Sequence, residues 1–107
     1  MYEIGHFIDG KRVPGTSGRT ANVYNPATGE VQASVALASE ADIRAAVESA
    51  KAAQPAWAAT NPQRRARVFM KFVDLLNRNM QELAEMLPRE HGKTVEDAKG
   101  DVLRGLE

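Results

Sequence analysis

The 107-residue sequence contains no cysteine, and its other shortages also exclude classes of protein. Without a thiol, this chain can form no disulfide, no thiolate metal site and no cysteine nucleophile. Fourteen basic residues balance fourteen acidic ones, so no net charge favours nucleic acid, an acidic substrate or a membrane surface. No apolar run approaches the roughly 18 residues of a spanning helix, and residues 1–6 lack the pattern of a secretory signal. We therefore expect one small cytoplasmic domain with no nucleic-acid and no membrane partner.

The first third of the chain has the pattern of two β-hairpins. Asp9-Gly10 lies between two short extended runs, and both residue types tolerate the positive φ of a two-residue hairpin turn. Residues 14–20 are rich in Gly, Ser and Thr and are typical of a loop. A second turn is indicated by NPATGE at residues 25–30, followed by alternating apolar positions at Val31, Ala33, Val35 and Leu37. Residues 1–38 are thus predicted to form hairpins.

Residues 39–107 are predicted to form a helical segment, because apolar residues there recur at helical spacing. The first helix is expected over residues 39–53, with Ser39 as N-cap, Asp42 at the third helical position and Pro55 as its end. The second begins at Asn61, with Pro62 in the first position. The faces expected to be buried are Ile43, Ala46, Val47 and Ala50 on the first helix, and Phe69, Phe72, Val73 and Leu76 on the second.

Two further helices are indicated after residue 78. Asn79 is expected to start the third, and Pro88 to end or kink it near Leu87, because an internal proline costs about 3 kcal/mol. Gly92 is predicted to close this helix as a left-handed cap, and Thr94 to open the fourth. The apolar stripe of the fourth helix runs along Val95, Ala98, Val102 and Leu106.

The stripe of the fourth helix is predicted to lack a packing partner on this chain. Two hairpins offer few strands to cover four helical faces, and the stripe continues to Leu106 without a capping glycine. Two partners are therefore expected: a homo-oligomer formed through the helical segment, or the remainder of a longer protein. A helix folded back on its own chain is the remaining alternative.

Gly92-Lys93-Thr94 matches the last three letters of a phosphate-binding loop, but the spacing excludes that motif. The loop needs a second glycine five residues earlier, and position 87 is Leu87. It also follows a buried strand, whereas apolar residues at positions 80, 83, 84 and 87 have helical spacing. Helix capping explains the glycine and the threonine better than nucleotide binding.

Three other groups of residues have side chains that could form a binding site. His6 and His91 have no acidic or cysteine partners at ligand spacing, so no metal site is predicted. The basic cluster of Arg64, Arg65 and Arg67 opposes a helix dipole, so carboxylates or a partner surface should compensate it. No aromatic platform for single-stranded nucleic acid is interleaved with this cluster. The large aromatic residues are assigned to a core rather than to a ligand site: Trp57, Phe69 and Phe72.

Several phrases along the chain resemble the start of an aldehyde dehydrogenase. They are IGHFIDGK (residues 4–11), NPATGEV (25–31), AKAAQPAW (50–57), PQRRAR (62–67), EHGK (90–93) and GDVLRGLE (100–107). The asparagine-proline turn and the glycine-lysine pair occur widely in that superfamily. HFIDG, QPAW, EHGK and GDVLRGLE more narrowly resemble the acylating, coenzyme A-dependent methylmalonate-semialdehyde dehydrogenases. The resemblance spans the whole chain but only about the opening fifth of such an enzyme.

The resemblance implies an α+β fragment, part of the α/β NAD-binding domain of an aldehyde dehydrogenase fold. Such enzymes use a cysteine thiolate, NAD and coenzyme A to convert methylmalonate or malonate semialdehyde, with loss of carbon dioxide or bicarbonate, into propionyl-CoA or acetyl-CoA, as in valine catabolism. The family's nucleophile, oxyanion donors and dinucleotide fold lie beyond the matched region. No catalytic, cofactor-binding or metal residue is therefore assigned here, and the 107 residues alone are expected to be inactive. Some members of the family hold a structural monovalent cation, and the resemblance suggests that its site would lie near Val23 and Asp101 of this chain.

A different class of function stays open at this point. The chain could be a stand-alone helical interaction or oligomerisation module derived from an aldehyde dehydrogenase. Such a module would use the exposed apolar stripe of a helix to bind a partner or a second copy.

Overall fold

A computed structural model describes all 107 residues of the chain. Five strands come first: β1 (Tyr2–Ile4), β2 (His6–Ile8), β3 (Lys11–Val13), β4 (Thr20–Tyr24) and β5 (Val31–Ala36). Four helices follow: α1 (Glu40–Ala59), α2 (Pro62–Arg78), α3 (Met80–His91) and α4 (Val95–Leu106). The predicted α+β class with two hairpins and four helices is confirmed. The chain forms two compact units, Met1–Tyr24 with Glu30–Thr60, and Asn25–Gly29 with Asn61–Glu107.

Both predicted hairpins are present. β2 pairs antiparallel with β3, and the turn between them places Asp9 at φ 56° and Gly10 at φ 73°, as a two-residue turn with two left-handed positions requires. β4 pairs antiparallel with β5 in a register that joins Val23 to Ala33. In the NPATGE turn, the amide of Gly29 donates to the carbonyl of Asn25 at 2.7 Å.

The first strand, β1, was not predicted as a sheet member. It pairs parallel with β5, with Tyr2 opposite Ala33 and Ile4 opposite Val35, which gives a three-stranded sheet in the order β1-β5-β4. A parallel pair has no connecting turn, so it leaves no local signal in the sequence. The central strand β5 carries the fully buried Ala33.

Helix α1 begins as predicted but ends later. The hydroxyl of Ser39 accepts from the amide of Asp42 at 3.1 Å, and the carboxylate of Asp42 accepts from the amide of Ser39 at 2.9 Å, a complete capping box. The expected end at Pro55 is wrong, because the helix continues to Ala59. Proline removes one hydrogen bond, and residues 50–59 are exposed, so solvent can satisfy the freed carbonyl.

The cap of α2 follows the prediction, and Asn79 precedes α3 as expected, but its side chain has a different role. Asn61 Oδ1 accepts from the amide of Arg64 at 2.9 Å, with Pro62 as the first helical residue. Asn79 makes no side-chain cap for α3. Its amide nitrogen Nδ2 instead donates to the carbonyl of Leu75 at 2.8 Å, which satisfies an acceptor at the end of α2.

An end or a kink of α3 was predicted near Leu87. The end is wrong, whereas the predicted cap at Gly92 is correct. The helix continues through Pro88 to His91, and Gly92 closes it at φ 82°. The amide of Gly92 donates to the carbonyl of Pro88 at 2.8 Å. Since the helix ends within one turn of Pro88, only one internal hydrogen bond is lost and the left-handed cap restores a bond at the terminus.

Helix α4 is better covered than the sequence indicated. Thr94 caps it, with its hydroxyl accepting from the amide of Asp97 at 3.3 Å. The helix packs against α3, and the fully buried Ala84 and Ala98 allow the two helices to approach closely. The expectation that the α4 stripe has no cover on this chain therefore needs correction, because its remaining members are only partly exposed: Val95, Val102 and Leu106.

The chain has almost no interior of its own. Ala33, Ala84 and Ala98 are its only fully buried apolar residues, and no large side chain is fully buried. Most large side chains predicted to be core are instead exposed, at 57% for Ile43 and Val47, 59% for Phe69, 54% for Phe72 and 41% for Trp57. The other members of these faces, Ala46, Val73 and Leu76, are half-buried, and Ala50 is exposed. The sequence located the apolar faces of α1 and α2 correctly. Their assignment to a core was wrong for this chain, because nothing within it covers them.

Two glycines of the α3–α4 region provide a matched pair of substitutions. Gly92→Ala forces a side chain into a left-handed conformation, which should lower the free energy of unfolding by about 1 kcal/mol. Gly100→Ala lies inside α4, where an added Cβ meets nothing within 4 Å, and should raise it by about 0.5–1 kcal/mol. Urea denaturation followed by circular dichroism measures both. If both substitutions changed the free energy of unfolding equally, Gly92 would not need its left-handed conformation to cap α3.

Candidate functional site

None of the four helices combines the length and the hydropathy needed to cross a membrane. No three His, Asp or Glu side chains lie together in an arrangement that could hold a metal ion. The candidate functional features are a buried carboxylate in the first unit, and an ion pair and an apolar groove in the second.

The buried carboxylate belongs to Asp42 at the start of α1. It accepts from the amide of Ser39, and also from the amide of Thr16 at 3.0 Å and from the Thr16 hydroxyl at 2.8 Å. The backbone amides of Ser39 and Thr16 lower the pKa of Asp42 far below its usual value, against the opposing effect of burial, and the two hydroxyl groups lower it further. Thr16 lies 26 positions from Asp42, so no local sequence pattern predicts this contact. The cluster fastens the loop after β3 to the N-terminus of α1.

His6 lies beside this cluster. Its Nε2 atom is buried without a hydrogen-bond partner and lies 3.7 Å from Asp42 Oδ2. Gly15 packs beneath the ring, since a Cβ there would come within 3.1 Å of Nε2 and 3.2 Å of the Ala36 Cβ. With Asp42 as its one acidic neighbour, His6 contributes to packing between the β2–β3 hairpin and α1. His91, the other histidine, is exposed at the end of α3.

Asp42→Asn should destabilise the first unit, because an amide accepts the two amide hydrogens and the hydroxyl less strongly than a carboxylate. We expect a fall in Tm on the order of 5 °C or more at pH 7. The pKa of Asp42 is lowered on folding, so its contribution is complete above the usual value of 3.8 and is lost as the pH falls towards the folded value. The difference between the two proteins should therefore shrink below about pH 4.

A suitable control for this substitution is Asp97→Asn. Asp97 lies in the first turn of α4 and is exposed, and its carboxylate takes no part in a comparable set of hydrogen bonds. Thermal unfolding by circular dichroism from pH 3 to pH 7 measures both variants. A loss at Asp97 as large as that at Asp42, or a difference independent of pH, would count against the Asp42 cluster.

The ion pair of the second unit joins Lys93 to Asp101. The Lys93 ammonium donates to the Asp101 carboxylate. This hydrogen bond lowers the pKa of Asp101, with further lowering by the charges of Lys93, Arg104 and His91 and an opposing effect of burial. Lys93 already supplies Asp101 with the positive charge that a bound cation would bring. Val23 lies in β4, in the other unit, and the cation suggested for these two residues stays a prediction.

All three letters of the Gly92-Lys93-Thr94 motif have local structural roles. Gly92 is the left-handed cap of α3, the Lys93 ammonium is bound to Asp101, and the Thr94 hydroxyl accepts from a backbone amide of α4. A phosphate would have to displace these contacts. The capping interpretation drawn from the sequence is therefore confirmed for the glycine and the threonine.

The arginine cluster of α2 remains uncompensated within the chain. Arg64 and Arg67 are exposed, whereas Arg65 is half-buried, with its Nε atom buried and without a hydrogen-bond partner. None of the ion pairs of the chain includes any of the three arginines. Of the two compensations expected, carboxylates or a partner surface, this chain does not supply the carboxylates as ion pairs.

An apolar groove of about 490 Å³ lies in the second unit, and the sequence did not reveal it. Three helices form it, and Glu90 is its only charged lining residue. We call it the α2–α4 groove, defined by Phe72, Leu76, Leu83, Met86, Leu87, Glu90, Val102 and Gly105. It offers no pair of titratable groups for acid–base chemistry and no nucleophile. Its chemistry suits the binding of apolar side chains.

Comparisons with known proteins all identify the same family. Residues 13–107 match the aldehyde dehydrogenase family. The chain is 42% identical over 107 residues to a malonate-semialdehyde dehydrogenase of Pseudomonas aeruginosa. It is 45% identical over 101 residues to the mouse mitochondrial acylating methylmalonate-semialdehyde/malonate-semialdehyde dehydrogenase. These matches cover 100% and 94% of the chain but 21% and 19% of the relatives, so the chain spans about a fifth of their length.

Solved structures agree in both fold and sequence. A crystal structure from Sinorhizobium meliloti, named as a methylmalonate-semialdehyde dehydrogenase complexed with NAD, superposes with a TM-score of 0.95. It is 81% identical to the chain, over 99% of the chain and 22% of that protein. The methylmalonate-semialdehyde dehydrogenase of Oceanimonas doudoroffii superposes with a TM-score of 0.93 at 40% identity, over 99% of the chain and 22% of that protein. The chain belongs to the aldehyde dehydrogenase family.

Proposed function

We propose that the chain is the N-terminal segment of an NAD- and coenzyme A-dependent methylmalonate-semialdehyde dehydrogenase. The observation that carries the proposal is the 81% identity to the Sinorhizobium meliloti protein across 99% of the chain, at a TM-score of 0.95. The names of two relatives support these substrates: malonate semialdehyde for the Pseudomonas protein at 42% identity, and both semialdehydes for the mouse protein at 45%. The complete enzyme would oxidise methylmalonate or malonate semialdehyde and transfer the resulting acyl group to coenzyme A.

The reaction needs parts that these 107 residues lack. A thiolate must attack the aldehyde carbon, and the chain has no cysteine. Hydrogen-bond donors must stabilise the oxyanion that forms, and the polar clusters of the chain are instead used in helix capping and in the Lys93–Asp101 ion pair. The role of the segment in catalysis is therefore structural, and by itself it is inactive.

The residues of the chain do not fit NAD or coenzyme A either. A dinucleotide needs a glycine-rich turn between a strand and a helix, with free amides directed at its phosphates. In this chain the only lysine of a glycine-lysine-threonine motif is bound to a carboxylate, and the motif joins two helices. Both ligands belong to the part of the enzyme beyond the segment.

A chimera tests the proposal directly. Residues 1–107 replace the matched region of the Sinorhizobium meliloti relative, and formation of NADH is followed with methylmalonate semialdehyde, NAD and coenzyme A. At 81% identity the segment should pack as the native one does, so we expect kcat/KM within roughly tenfold of the unmodified relative. A chimera that folds and assembles but turns over no semialdehyde, beside an active unmodified relative, would overturn the proposal.

A second candidate function is a stand-alone interaction module. The observation that favours it is the half-exposed apolar face of α2, with Phe69 at 59% and Phe72 at 54% exposure. The two functions differ in the native product, since the module needs no polypeptide beyond these residues. The mass of the native protein distinguishes them.

A further inference from the structure

The β2–β3 hairpin is loosely joined to the rest of the first unit. It forms a two-stranded sheet of its own and pairs with no strand of the three-stranded sheet. A hollow of about 280 Å³ lies between the hairpin and α1, bordered by Phe7 and Ile8 on one side and by Ile43 and Ala46 on the other. Apolar packing between the two elements is therefore incomplete, so polar contacts should contribute much of the attachment.

His6 supplies such a contact from β2, with an atom that is unsatisfied while the ring is neutral. The Nε2 atom is buried without a hydrogen-bond partner and lies 3.7 Å from Asp42 Oδ2. In the neutral ring, Nε2 is either a buried donor without an acceptor or a lone pair that faces a carboxylate. Both arrangements are unfavourable, whereas a protonated ring directs an N–H group at the negative charge.

The carboxylate of Asp42 can accept one more hydrogen bond. The amides of Ser39 and Thr16 lower the pKa of Asp42 far below its usual value, so this group is ionised wherever histidine titrates. Two amides donate to Oδ2 and the Thr16 hydroxyl donates to Oδ1, which fills three of roughly four acceptor positions. A position therefore remains for a fourth donor.

Gly15 leaves room for the ring of His6 to reach this carboxylate. A Cβ at position 15 would lie 3.1 Å from Nε2 and 3.8 Å from Asp42 Oδ2, so a side chain there would crowd the ring. The separation of 3.7 Å exceeds the length of a hydrogen bond by less than about 1 Å. A small tilt of the ring is enough to close that gap.

The other charged residues around His6 balance one another. Glu3 of β1 and Arg12 of β3 border a hollow that His6 also lines, and neither forms an ion pair with it. The loop after β3 and strand β5 present only uncharged residues to the ring, namely Gly15 and Ala36. Asp42 of α1 is therefore the group that favours the charged form of the ring.

We propose that His6 and Asp42 form a proton-dependent latch that fastens the β2–β3 hairpin to α1. When the ring takes up a proton, its Nε2–H group donates to the Asp42 carboxylate in a charge-assisted hydrogen bond, about twice as strong as a neutral one. When the ring loses that proton, the Thr16 contacts and packing alone hold the hairpin. The latch lies within the first unit and does not depend on the proposed enzymatic activity.

The latch should stabilise the first unit more at mildly acidic pH than at alkaline pH. A folded unit that gives the charged ring a partner binds the proton more tightly than the unfolded chain, in which histidine loses it near about pH 6.5. The added stability is therefore complete below about pH 6 and is lost as the pH rises towards about 8.

Thermal unfolding of His6→Gln measures the latch, because glutamine keeps a polar side chain that does not titrate. We expect the Tm of the unmodified chain to exceed that of His6→Gln by at least about 3 °C more at pH 5.5 than at pH 8. In the Asp42→Asn background, the same substitution should show no such dependence on pH. Differential scanning calorimetry of the 107-residue chain measures all four proteins.

Nitrogen-15 NMR of the imidazole rings observes the proton directly. The chain has two histidines, and the other, His91 at the end of α3, lies in the second unit and serves as the internal control. We expect Asp42→Asn to lower the pH midpoint of the His6 signal by at least about 0.5, because the ring loses its anionic partner. The midpoint of His91 should move by less than about 0.1.

Two results would overturn the proposal. One is a His6 midpoint that Asp42→Asn leaves unchanged in a variant whose spectrum shows a folded first unit. The other is a Tm difference between the unmodified chain and His6→Gln that is equal at pH 5.5 and at pH 8. The second comparison involves no change at Asp42, so it decides the question even where Asp42→Asn fails to fold.

Discussion

The isolated 107-residue chain is expected to form no NADH from methylmalonate semialdehyde, NAD and coenzyme A above the rate of a protein-free blank. The reason is chemical, since no side chain of the chain can act as the thiolate that attacks the aldehyde. Loss of the catalytic serine lowers kcat by about 10⁶-fold in a serine protease, which gives the order of magnitude for removal of a nucleophile. We therefore expect no NADH formation that an absorbance assay can detect.

Isothermal titration of the same sample separates loss of chemistry from loss of binding. We expect no heat of binding from NAD or from coenzyme A, because the one phosphate-loop-like motif is engaged in helix caps and in the ion pair with Asp101. The chimera with the Sinorhizobium meliloti relative serves as the positive control in both assays. Tight binding of either ligand to the isolated chain would show that it contains a site that we have not assigned.

Amide hydrogens of α1 and α2 should exchange at least about 100-fold faster in the isolated chain than in the chimera. The apolar faces of both helices are exposed in the chain, with Ile43 and Val47 at 57% and Phe69 at 59%. Helices in proteins owe most of their stability to packing of the apolar face, which the additional polypeptide of the chimera would supply. A 100-fold difference in protection corresponds to about 2.7 kcal/mol.

Helix α4 provides the internal reference for this measurement. It packs on α3 through the fully buried Ala84 and Ala98 in the chain itself, so its gain in protection in the chimera should be smaller than that of α2. Mass spectrometry of peptic fragments after timed exchange resolves the helices. Equal protection of α2 in the two proteins would mean that its exposed face needs no cover.

Local chemistry made much of the fold predictable from sequence. The Asp9-Gly10 turn, the Ser39 and Asn61 caps and the left-handed Gly92 all depend on residues within a few positions of one another. The resemblance to the aldehyde dehydrogenases came from equally local phrases. These features identified the family before any three-dimensional contact was known.

The errors came from interactions that the sequence does not encode locally. Pro55 was expected to end its helix and Pro88 to end or kink its helix, but both helices continue past the proline, which removes only one hydrogen bond. The parallel pairing of β1 with β5 and the contact of Thr16 with Asp42 join residues about 30 positions apart. The amphipathic pattern of α2 located its apolar face correctly, but a pattern alone does not reveal whether a partner for that face lies on the same chain.

The intact mass of the native protein tests the central claim most directly, namely that these 107 residues are one segment of a larger dehydrogenase. Since the chain spans 21% of the Pseudomonas aeruginosa relative, the claim predicts a native polypeptide of roughly 50 kDa or more that contains this sequence. A native product with the 11.7 kDa mass of the chain alone would contradict it and would favour the interaction module.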